Sequence, residues 1–187
     1  MLGRNGGTLF LALLCLGAST AHAATAGSAD VAAVWVPREI NFRYVGFTTK
    51  YSCDGLRSRV RDMLLQLGAR ADLQVTGFAC VRVNTPETSP GVRIVMHVLQ
   101  PATPKAGQAV PAHWQRVNVL ADRDPVDASL DCELIAQLHR DVLPLFATRQ
   151  VDYSATCSAN QPVAGGTRLK ADVLIADAAA APQAAVR

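Results

Sequence analysis

Apolar residues return at helical spacing in two stretches of this chain. Leu56, Val60, Met63, Leu64 and Leu67 fall at i, i+4, i+7, i+8 and i+11, the stripe of a helix with one buried face. Ser52 stands at the N-cap position, Asp54 lies in the first turn, and Gly68 is placed to end the helix. Ile135, Leu138, Val142, Leu145 and Phe146 make the second stripe, with Asp131 as its cap. Pro144 removes the bond back to the carbonyl of Arg140, so this helix is predicted to kink or shorten there.

Around the helices the period changes to two. Ile40, Phe42 and Tyr44 alternate with Glu39, Asn41 and Arg43, which is a half-buried strand. Residues 73–83 are β-rich, with Gly77 as a bulge position. Val92, Ile94, Met96 and Val98 alternate with Arg93 and His97 to give a third element. Val117/Val119, Val151/Tyr153 and Leu169/Ala171/Val173/Ile175 take the same three roles later in the chain. The unit strand, helix, strand, strand is therefore read twice.

The two readings also match residue by residue. CDGLRSRVRDMLLQLGAR from Cys53 aligns without a gap on CELIAQLHRDVLPLFATR from Cys132. Arg61-Asp62 meets Arg140-Asp141, Leu64 meets Leu143, and Arg70 meets Arg149. GVRIVMHVL from Gly91 aligns on GTRLKADVL from Gly166, and upstream Val36-Pro37 is matched more weakly to Val110-Pro111. A unit of about 65 residues buries a marginal core alone. The expected fold is α+β: a duplicated β-α-β-β unit, its two helices on one face of a shared, largely antiparallel sheet, stapled by disulfides. The expected divisions are 1–23 signal peptide, 24–34 flexible segment, 35–100 first copy, 101–112 Pro/Ala connection, 113–175 second copy and 176–187 disordered Ala-rich tail.

The signal peptide rests on Arg4, an apolar run over residues 8–17 and Ala21-His22-Ala23, with cleavage after Ala23. The run falls short of the ~20 residues a membrane-spanning helix needs. Leu14 before Cys15 argues against lipoprotein anchoring. The expected location is periplasmic or secreted, with no integral membrane segment in the mature chain. Loss of Arg4 takes the formal charge from +3 to +2, which gives no reason to expect nucleic acid as a partner.

Cys53, Cys80, Cys132 and Cys157 remain after cleavage, and four cysteines allow three pairings. One staple per copy gives Cys53–Cys80 and Cys132–Cys157; an exchanged arrangement would cross the copies. Cys53 and Cys132 sit at helix starts, where thiols become reactive. No Cys-x-x-Cys is present, and Asp54 and Glu133 oppose a lowered pKa.

Chemistry is otherwise sparse, and no cofactor, metal or catalytic residue is expected. His97, His113 and His139 have no metal-ligand spacing, and there is no Gly-x-Ser-x-Gly elbow or phosphate-binding glycine pattern. Asp122, Asp124 and Asp127 crowd one loop but lack the glycine and closing glutamate of a calcium loop. Arg57, Arg59, Arg61 and Arg70 make the first helix's exposed side basic, partly neutralised by Asp54 and Asp62. The stretch FRYVGFTTKYSCDGL holds Phe42, Tyr44, Phe47 and Tyr51, half of the eight Phe and Tyr residues, and the second copy lacks them. With Trp35-Val36-Pro37, this stretch resembles a set of small exported proteins of Gram-negative bacteria with no assigned function, over about residues 35–83. That resemblance implies export and transfers no site residue. The leading expectation is a non-enzymatic accessory or binding domain with an envelope protein as partner. The rival is a small periplasmic enzyme or inhibitor with its site between the two copies, where Asp62 and Asp141 are the matched carboxylates.

Overall fold

The structure, a computed structural model, describes residues 31–80, 85–104, 108–120, 130–157 and 166–177. The signal peptide, the Asp122/Asp124/Asp127 loop and nearly all of the Ala-rich tail lie outside the described residues. In chain order come β1 (Val31–Arg43), α1 (Cys53–Gln66), β2 (Gln74–Phe78), β3 (Gly91–Pro101) and β4 (Val110–Asn118). Then follow α2 (Cys132–Asp141), a 3-10 turn (Leu143–Leu145), β5 (Thr148–Ala155) and β6 (Thr167–Ala176). The fold is α+β, with a six-stranded sheet in the order β2-β3-β1-β4-β6-β5 and every neighbouring pair antiparallel.

Both helices form where their stripes place them. Ser52 caps α1 by accepting the Gly55 amide at 3.1 Å, and Gly68 follows it with φ +89°, a conformation glycine adopts without strain. The chain leaves α2 after Asp141 and makes a separate 3-10 turn around Pro144, the shortening that proline dictates. Leu56, Val60, Met63, Leu64 and Leu67 of the first helical segment share one apolar core with Ile135, Leu138 and Val142 of the second. The same core takes Phe42, the alternating residues Val92 to Val98 of β3, and Leu169, Ala171 and Val173 of β6. Leu134, outside the predicted stripe, is fully buried there too.

The strand registers show where the sequence reading placed an element wrongly. β1 starts at Val31, so residues 31–34 belong to the sheet and not to a flexible segment. β4 starts at Val110, inside the predicted 101–112 connection, and β6 runs on to Ala176. Trp35 lies opposite Leu99, and Trp114 opposite Leu174. Val31↔Ala112 and Ala33↔Val110 flank Ala32↔Pro111 at the β1–β4 seam. Val31, Ala33 and Trp35 stand 79 residues before Val110, Ala112 and Trp114, the spacing that separates Cys53 from Cys132. The match of Val36-Pro37 to Val110-Pro111 does not share that spacing.

Gly77 is not a bulge, because β2 pairs with β3 without interruption from Gln74↔Val95 to Phe78↔Gly91. Glycine is there for room: an added Cβ would meet Cys80 Sγ at 3.3 Å. The irregularity falls in β5 between Arg149 and Asp152, where Gln150 has φ 50°. Past it, Val151 is 41 % exposed, and Tyr153 lies flat on His139 of α2 with ring centroids 3.8 Å apart. These two do not form the buried strand face that their alternation predicts. On the helix-free face of the sheet, Trp35, Leu99, Trp114 and Leu174 form a second, smaller cluster. Arg70 lies over Trp35 and Arg149 over Trp114, at 5.6 and 4.4 Å from the ring centroids.

The disulfides join Cys53 to Cys80 and Cys132 to Cys157, with Cα separations of 6.1 and 5.5 Å. Each ties the first residue of a helix to a residue just past a strand. All four thiols named in the sequence reading are thereby consumed.

Candidate functional site

The distinctive aromatic stretch becomes the connection between β1 and α1, and it is held from two sides. Tyr44 is buried, and its hydroxyl donates to the Thr49 carbonyl at 2.7 Å and to Glu133 at 3.2 Å. The amides of Phe47, Thr48 and Thr49 donate to the Glu133 carboxylate at 3.0, 3.1 and 3.4 Å. One helical turn further on, Gln137 accepts from the Val45 amide and donates to the Val45 carbonyl, both at 2.9 Å. On the other side, Gly46 donates to the Thr88 carbonyl and Tyr44 to that of Pro90, while Tyr51 accepts from the Glu87 amide. Gly46 is required, since a Cβ there would sit 2.0 Å from the Thr49 carbonyl oxygen. The loop is fixed, and it turns Phe47 outward at 86 % exposure.

Below the loop lies a buried polar cluster. Arg59 of α1 donates through Nε, at 2.8 Å, and through Nη2 to Asp131, and the Tyr51 hydroxyl donates to the same carboxylate. Arg59 is 9 % exposed and Asp131 4 %. Asp131 occupies the N-cap position of α2 without capping it by its side chain, because that carboxylate is turned to Arg59 and Tyr51. The amino end of α2 thus carries two acids, and residues of the first half answer both. A helix N-terminus favours negative charge, which assists the arrangement.

Burial is the largest effect raising the phenol pKa of Tyr44 and Tyr51, followed by the neighbouring carboxylates Glu133 and Asp131 respectively. A raised folded-state pKa contributes stability that is present in full below the ordinary phenol value of about 10 and is lost as pH climbs beyond it. Two of the three tyrosines are therefore expected to stay un-ionised above pH ~10 until the chain unfolds. A spectrophotometric titration followed with circular dichroism checks this: phenolate absorbance from Tyr44 and Tyr51 should rise together with loss of structure. Ionisation of all three while structure persists would contradict it.

Glu133→Ala should free the loop. Its loss removes the shared acceptor of three amides and one hydroxyl, at a cost of about 2 kcal/mol for a partly exposed site. Loop opening does not require global unfolding. Amide exchange at Phe47, Thr48 and Thr49 should accelerate more than the urea midpoint falls.

Other residues flagged from sequence are dispersed. The basic helix face dissolves into individual partnerships: Arg57 pairs with Asp54 at 3.1 Å, and Arg59 is buried on Asp131. Arg61 donates to the carbonyl of Leu73 at 2.6 Å, and Arg70 pairs with Asp72 beside His97. The Arg70 hydrogen bond is the main reason that the Asp72 carboxyl lies below its ordinary pKa. Asp141 pairs with Arg140 at 2.7 Å, while Asp62 is exposed, and no hydrogen bond or ion pair joins Asp62 to Asp141 among the described residues. His113 pairs with Asp177 at 2.6 Å. Among the described residues no group of three His, Cys, Asp or Glu is placed to hold a metal ion. No helix among them is long and apolar enough to cross a membrane. Of the aromatic stretch, Phe42, Tyr44 and Tyr51 go to the core or its margin and Phe47 alone is presented.

Sequence reasoning missed Arg59, Asp131, Glu133 and Gln137 as a set. A signal was available for Arg59, which lies three residues after Leu56 and four before Met63, on the apolar stripe itself. Comparison of the chain with family models, curated proteins and solved structures finds no match.

Proposed function

We infer that the protein is an exported binding domain of the cell envelope, built by duplication of one β-α-β-β unit and engaging a protein partner through the 44–51 loop. The observation that carries this reading is Phe47, 86 % exposed on a loop whose backbone is already fixed by Glu133, Gln137 and Thr88. A large apolar side chain carried on an already ordered backbone spares the backbone-ordering cost of binding, which is the character of an interface anchor. Export is supported by the two disulfides, which persist in oxidising compartments, and by the charge, apolar run and small-residue order of residues 1–23. Duplication is supported by the common 79-residue spacing, the palindromic strand order and one disulfide in each half. The resemblance to small exported proteins of Gram-negative bacteria agrees with that location.

Benzoylphenylalanine in place of Phe47, irradiated in the cells that make the chain, tests the reading. A discrete adduct with an envelope protein is expected from position 47. The same replacement at Val95, 37 % exposed on the helix-free face, should give none. No adduct at 47, or equal adducts at both positions, would overturn it.

A further inference from the structure

We propose that the groove beside this loop receives an acidic, extended stretch of the partner protein, an assignment that rests on the binding reading above. The groove has a volume of about 600 Å³. Arg43, where β1 ends, and Lys50, just before α1, line it from the loop side. Thr85, Glu87, Thr88 and Ser89 line it from the segment that hydrogen-bonds to the loop.

The charge pattern points to the ligand. Most arginines elsewhere are matched to carboxylates, among them Arg57 to Asp54, Arg59 to Asp131, Arg93 to Glu39, Arg140 to Asp141 and Arg168 to Asp152, while Arg61 is engaged by backbone carbonyls and the Arg38 Nε is buried away from the surface. Arg43 and Lys50 have no ion pair or side-chain hydrogen bond among the described residues, yet both face one groove. Glu87 is the one acid of this lining and has interactions of its own. Two cations against one engaged carboxylate leave the groove positive, and a concave wall concentrates that potential. Its two cations and three hydroxyls are donors suited to carboxylates.

A compact phosphate fits less well. The consecutive amides of Phe47, Thr48 and Thr49 that would cradle it are already occupied by Glu133. Carboxylates carried along a chain can meet Arg43 and Lys50 separately, while an apolar neighbour of theirs reaches Phe47 on the same loop. The assignment thus joins charge recognition in the groove to the aromatic anchor on the loop that supplies Lys50.

The test titrates the full-length oxidised chain with a synthetic peptide of Glu, Ser and Leu, with its Gln-for-Glu counterpart, and with inorganic phosphate. Backbone amide resonances report the site. The acidic peptide should shift Thr85, Thr88 and Ser89 saturably, and the neutral peptide should not. Arg43→Gln/Lys50→Gln should weaken binding about tenfold, the sum of two exposed charge pairs, whereas Arg93→Gln should leave it unchanged. Equal binding of the neutral peptide, displacement by phosphate at equal concentration, no binding at all, or an unaffected double variant would each overturn the proposal. Adducts from position 47 without acidic-peptide binding remove the groove assignment alone. Absence of both removes the binding reading as well.

Discussion

Asp131→Ala is expected to cost about 3–5 kcal/mol, because it leaves Arg59 charged and only 9 % exposed with its carboxylate partner gone. The pair itself contributes far less than that. Burying two charges costs nearly as much as their attraction returns, so breaking the pair is severe while replacing both members is mild. The alignment of the two halves indicates the replacement. At the common spacing, Arg59 corresponds to Leu138 and Asp131 to Ser52. Arg59→Leu/Asp131→Ser should therefore recover most of the stability lost in Asp131→Ala. The serine hydroxyl can also accept from Tyr51, which otherwise loses its carboxylate acceptor. Urea unfolding of the oxidised single and double variants measures the coupling directly. A loss below ~1 kcal/mol for Asp131→Ala would mean that water reaches Arg59.

The same cluster shows how far sequence reasoning reaches. The helix stripes were legible because each is a local pattern, and Leu56, Val60, Met63 and Leu64 are all buried as their spacing dictates. The disulfide pairing was legible only as a preference: one staple per copy favours Cys53–Cys80 and Cys132–Cys157, which the structure has, while an exchanged arrangement stayed open in the sequence. The contact of Glu133 with the 44–51 loop had no such signal, since its partners are backbone amides more than 80 positions away. Backbone amides leave no mark in sequence.

Two further misses have physical causes. Val31, Ala33 and Trp35 were partly hidden in an alanine-rich stretch that reads as a loose tether. Their strand is fixed by pairing to β3 and β4, a non-local effect that overrides weak local propensity. Val151 and Tyr153 alternate correctly, but the left-handed residue Gln150 re-aims the strand before them. A period-two pattern specifies which residues share a face only while the ladder is regular.

Removing one disulfide by Cys53→Ser/Cys80→Ser should cost about 3–4 kcal/mol, the chain entropy released by opening a loop of 27 residues. Cys132→Ser/Cys157→Ser opens one of 25 residues, and the logarithmic dependence makes the two costs nearly equal. The staples serve different halves and share no partner, so their losses should add. Their sum, about 6–8 kcal/mol, lies within the 5–15 kcal/mol that typically separates a folded domain from its unfolded chain. Full reduction is accordingly expected to abolish the cooperative urea transition, which each single removal only shifts to lower midpoint. The first staple also bears on the contact loop. That loop runs directly into Cys53, so the bond to Cys80 holds the end of α1 against which Tyr51 and Lys50 are positioned. Amide exchange near Lys50 should rise in Cys53→Ser/Cys80→Ser and stay unchanged in Cys132→Ser/Cys157→Ser under conditions where both variants remain folded. Equal loosening in the two variants would show that Glu133 and Gln137, and not the staple, fix this end of the loop.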